Sequence, residues 1–104
     1  MNKEKQRIAI AEACGIVKQP NSHSSGVRAF TGEFVVIPDY LNDLNAMHEA
    51  ENILTHQESK LFEEKLFSLR ESEVMHRGNF ALVHATAAQR AEAFLRTIGK
   101  WEDK

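Results

Sequence analysis

Cysteine, tryptophan and tyrosine occur once each in these 104 residues, proline twice and glycine five times. Each scarcity excludes something. With Cys14 alone, neither an intrachain disulfide nor a cysteine-only metal site can form, which suits a reducing compartment. The five glycines stand singly, so no GxGxxG or Walker phosphate-binding pattern exists. Nowhere do about 18 apolar residues follow one another, so no spanning helix is expected. The charged start, Met1 to Arg7, is followed by Ile8 to Ala13, but Glu12 interrupts that run and no signal peptide is read.

Neither sign of charge dominates: 13 Lys and Arg stand against 15 Asp and Glu, net −2. A phosphate-backbone binder of this size would carry a basic footprint, and a duplex mimic would carry dense acidity. Bulk nucleic acid is therefore not expected as a partner. The length allows one core over residues 1–104 and leaves no room for a Rossmann domain, a TIM barrel or two modules.

What is present is punctuated by helix signals. Asn2 can cap a helix over 3–14 that Gly15 stops, with a thin stripe of Ile8, Ala11 and Cys14 beside Ile10 and Ala13. Ile16-Val17 reads as a weak strand, residues 19–33 as a polar, turn-rich loop, and Phe34 to Ile37 as a short buried strand. Asp39 is placed as the cap of a second helix carrying Tyr40, Leu41, Leu44, Met47, Glu51 and Leu54. Thr55-His56-Gln57-Glu58 and Thr86-Ala87-Ala88-Gln89 are capping boxes opening two more helices. Between them, Gly78-Asn79 joins two apolar-rich runs as a hairpin turn. The order α, β, β, α, α, β, β, α predicts an α+β domain: a small, mostly antiparallel sheet with about four helices packed on it.

Catalytic constellations are missing. Cys14 falls at a helix C-terminus, where the dipole opposes a thiolate, and reads better as a small buried hydrophobe. The serines around His23 lack a strand-to-helix elbow, and no carboxylate spacing singles out an acid/base pair. His48 shares a helical face with Glu51 and Asn52, a spacing able to present two metal ligands, but an ordinary solvated or capping histidine explains it better. His76 and His84 fall at opposite pleat parity of the hairpin, which argues against a shared imidazole site. No metal, cofactor or catalytic set is expected.

Two surface features remain. Arg28 and Phe30 share the polar loop, a pairing able to hold an anion and stack on a planar ring, and His76 and Arg77 on the hairpin could add charge. Tyr40, Phe67 and Trp101 sit at stripe margins or chain ends, where an aromatic side chain is half-buried in a monomer or completes an interface.

Three segments resemble a family of small bacteriophage and prophage proteins, some described as a phage α-β-α sandwich domain. They are Met1 to Gly15, Pro38-Asp39-Tyr40-Leu41 through Glu51, and Ala85-Thr86-Ala87-Ala88-Gln89-Arg90-Ala91 through Trp101, somewhat under half the chain. The resemblance implies helices flanking a small sheet, an accessory gene expressed in the cytoplasm of the infected bacterial host, and no catalytic residues. The expectation is therefore a non-enzymatic protein that binds a host protein, such as an antiviral defence component, through Tyr40, His48, Phe67 and Trp101. The alternative is a homo-oligomeric binder sequestering a nucleotide-like immune signal with Arg28, Phe30, His76 and Arg77. Neither expectation involves a membrane.

Overall fold

The computed structural model describes residues 1–20, 24–73 and 85–102, with backbone only for 70–73. The fold is α+β, with four helices and a three-stranded antiparallel sheet among the described residues. The elements are α1 (Lys3–Ala13), β1 (Ile16–Lys18), β2 (Ser25–Arg28), β3 (Phe34–Val36), α2 (Leu44–Glu51), α3 (His56–Glu73) and α4 (Ala87–Thr97). The hairpin expected around Gly78-Asn79 lies outside the described residues, as do His76, Arg77 and His84.

The caps act as their sequences dictate. Asn2 Oδ1 accepts the Lys5 N–H at 2.8 Å to open α1, and Gly15, at φ 84°, turns the chain out of it. Both capping boxes close reciprocally, Thr55 with Glu58 at 2.9 and 3.1 Å and Thr86 with Gln89 at the same two distances. The second helix differs from expectation. Asp43 is its cap, accepting the Ala46 N–H at 3.2 Å, whereas Asp39 closes a preceding turn by accepting the Asn42 and Asp43 N–H groups on its carbonyl. That turn drives Tyr40 and Leu41 into the core instead of along a helix stripe.

The sheet is a meander in the order β1-β2-β3. Its central strand comes from the stretch expected to be a loop. Val17 pairs with Val27 and Val27 with Phe34, while Gly26 lies between Lys18 and Val35. Two-sided pairing, more than propensity, holds Ser25–Arg28 extended. Gly26 is required because a Cβ there would stand 2.5 Å from Ile16 Cγ2 and 3.0 Å from the Val17 carbonyl.

The inner sheet face, Ile16, Gly26 and Val35, meets a core that includes Ile10 of α1, Met47 of α2, Phe62 and Leu66 of α3, and Phe94 and Leu95 of α4. Helix α4 is central, packing against α3, α1 and α2. A salt bridge locks α2 to α4: Glu51 accepts from Arg90 Nε and a terminal guanidinium nitrogen, both at 2.8 Å, and Arg90 lies 5.5 Å from the Phe62 ring centroid.

Candidate functional site: an open sheet face and an adjoining cleft

Strand alternation sorts β1–β3 into two faces. The outer face carries Val17, Val27, Phe34 and Val36, together with Ser25. Among the described residues no element covers it: Val17 is 56% exposed, Phe34 77% and Val36 75%, and Phe30, on the turn after β2, is 100% exposed. Solvated antiparallel sheets normally turn polar side chains outward, so three exposed apolar residues on the two edge strands depart from that pattern.

On the other side of the same strands lies a cleft. The β2–β3 turn folds against the end of α1, with the Ala29 N–H donating to the Gly15 carbonyl at 2.8 Å, and Gly32 (φ 74°) makes the reversal. A cavity of about 440 Å³ opens there, lined by Cys14, Gly15, Arg28, Ala29, Phe30 and Thr31. A second, of about 190 Å³, continues from Cys14 and Arg28 towards Tyr40 and α2, with Ile16, Glu49 and Ile53 among its walls. Arg28 and Phe30, paired on sequence grounds, thus do share one cavity. Cys14, not expected beside them, lines the same cavity, while Tyr40 and Glu49 join Cys14 and Arg28 in the smaller one.

The electrostatics of the cleft are mixed. Burial pushes the Cys14 thiol above its ordinary value, opposed by the Tyr40 hydroxyl that donates to its sulfur and by the Arg28 charge. Tyr40 is held well above its ordinary value, first by burial and then by the neighbouring sulfur. Arg28 Nε contacts Glu33 Oε1 at 3.2 Å on the rim, and Glu49 faces the cleft from α2. One cation thus stands among two carboxylates. Cys14 is accordingly a protonated thiol, and among the described residues no histidine lines either cavity beside it.

The remaining expected partner residues occupy separate elements. Tyr40, expected at an interface, is 4% exposed and packs in the core, so it is not offered to a protein surface. His48 is exposed on α2, with Nδ1 3.7 Å from Glu51 Oε1. Because that carboxylate is engaged bidentately by Arg90, the pair is not a free ligand set, and among the described residues no three His, Cys, Asp or Glu side chains gather as a metal site. Phe67 is half-buried on α3. Trp101 is half-buried against the core, its ring 5.0 Å from the Arg96 guanidinium. No helix of the described residues is long and apolar enough to cross a membrane. Compared with protein families, curated proteins and solved structures, the chain matches none.

Proposed function

We propose that this chain is a non-enzymatic binding protein whose working surface is the outer face of the sheet, and that its partner is another protein. The observation that carries the proposal is the exposure of Val17, Phe34 and Val36 on one face. Phe34 and the two valines together leave on the order of 300 Å² of apolar surface in water, within the size of patch that is often functional on a monomer. A stable interface takes roughly 800 Å² from each partner, so the partner must also engage polar surface around the sheet. A protein with an apolar ridge and a polar rim fits this. The resemblance to phage accessory proteins supplies the setting, a bacterial cytoplasm in which the partner is a host protein such as a defence component.

The test compares the natural chain with Phe34→Ser/Val36→Ser. Both positions are solvent-exposed, so stability should change by no more than about 0.5 kcal/mol. Support requires a bacterial protein that is retained by the natural chain and lost from the double variant, and that rebinds as purified protein with the same difference. Equal binding by both forms sinks the proposal. Sedimentation showing self-association that the double substitution abolishes would reassign the face to a second copy of the chain.

A further inference from the structure

The cleft behind the sheet is independent of that surface and points to a different kind of ligand. Its two cavities, about 440 and 190 Å³, share Cys14 and Arg28 in their linings; the larger is lined mainly by apolar groups and is of the size that holds small molecules, and the smaller is mixed. Arg28 lines both, and Glu49 stands in the wall of the smaller one. These two opposite charges are not paired with each other. Arg28 contacts Glu33 on the rim, where both side chains are about half exposed or more, and such a pair yields readily to a competing carboxylate. Glu49 makes no ion pair among the described residues. The Tyr40 hydroxyl lies beside them, and the fully exposed Phe30 ring forms one wall of the larger cavity.

We infer that this cleft binds a small zwitterion with an aromatic side chain, of the class of a free aromatic amino acid. Its carboxylate is taken by Arg28, its ammonium by Glu49, and its ring by the larger cavity against Phe30. A phosphate-bearing ligand is a poorer match, because one guanidinium would have to offset two negative charges of its own while Glu33 and Glu49 repel them. A neutral ring would leave the charged pair unused.

Cys14 provides the readout, since it lines both cavities. The experiment follows iodoacetamide alkylation of Cys14 by intact-mass spectrometry in the full chain, with L-phenylalanine as the probe. Calorimetry runs in parallel. L-Phenylalanine is expected to slow alkylation in a saturable way. 3-Phenylpropionate, which lacks the ammonium, and phenethylamine, which lacks the carboxylate, should each bind about tenfold more weakly, as loss of one charged contact implies. Arg28→Gln and Glu49→Gln should weaken L-phenylalanine by a similar factor, whereas Glu33→Gln, which frees Arg28, should strengthen it. Should Arg28→Gln fail to fold, the Glu33→Gln variant and the ligand series on the natural chain decide the matter. Phe34→Ser, on the opposite sheet face, should leave binding unchanged, which separates this inference from the sheet-face proposal. Absence of protection by L-phenylalanine at about 10 mM, where even millimolar affinity would register, overturns the inference. So does equal protection by 3-phenylpropionate or by inorganic phosphate.

Discussion

Removing the Glu51 carboxylate should cost more stability than any other single-charge change in the described structure. The two bonds from Arg90 are short and parallel, and the side chains are only 13 and 14% exposed, so water screens the pair weakly. Breaking a fully buried pair costs about 3–5 kcal/mol. The residual exposure lowers that to about 2–4 kcal/mol for Glu51→Ala, with a fall in melting temperature on the order of 10–25 °C for a domain of this size. Arg90→Ala should cost about 0.5–1 kcal/mol more, because the guanidinium also lies over Phe62. Urea unfolding of the natural chain, both single variants and the double variant gives the coupling energy, expected near 2 kcal/mol. A coupling below about 0.5 kcal/mol would place this pair with ordinary surface ion pairs and refute the view that it fastens α2 to α4.

Three further outcomes follow from the packing. Gly26→Ala should destabilise by about 1–3 kcal/mol in urea titrations, since its Cβ would stand 2.5 Å from Ile16 Cγ2 in the middle of the sheet. Thr86→Ala should cost about 1 kcal/mol by removing the acceptor for the Gln89 N–H at 3.1 Å, seen as a lower melting temperature with unchanged circular dichroism below the transition. Stability should hold up to about pH 9 and then decline as pH rises. The folded state holds the Cys14 thiol above its ordinary 9.0 and the Tyr40 hydroxyl above its ordinary 10.0, so the unfolded chain loses those protons first. Tyr40→Phe should make the decline measurably shallower above pH 10, and an identical alkaline profile in that variant would refute the assignment to Tyr40.

The sequence signals that proved legible were those completed within one turn of chain. Asn2, Thr55 and Thr86 each meet a partner three residues away, so the composition of a short window specifies both members of the contact. Asp39 shows the limit of that logic. Asp39 and Asp43 are both good caps four residues apart, and burial of Tyr40 and Leu41 between them decides which one starts the helix. No local count could weigh that burial. Nor could spacing show that Glu51 is committed to a residue 39 positions away, which takes it from the helical face it shares with His48.

Strand β2 is where the most was hidden, and the candidate surfaces both depend on it. Ser25-Gly26-Val27-Arg28 contains one strong strand former, and a glycine that by itself argues for a loop. The glycine is there because the strand is central: only a residue without Cβ fits beneath Ile16. Once the segment is paired on both edges, strand alternation turns Val27 outward into a row with Val17 and Phe34, while the parity of Gly26 and Ile16 is that of the core. Pairing also ends at Arg28, so the following turn is pinned to Gly15 and Phe30 is carried to the cavity that Cys14 lines. An open apolar face on one side and a charged cleft on the other are therefore two consequences of a single register. A shift of one residue in β2 would exchange Val27 for Gly26 on the outer face and place a valine where no Cβ fits. The clash that forbids the slip thus also fixes both surfaces, and Gly26→Ala should loosen them together.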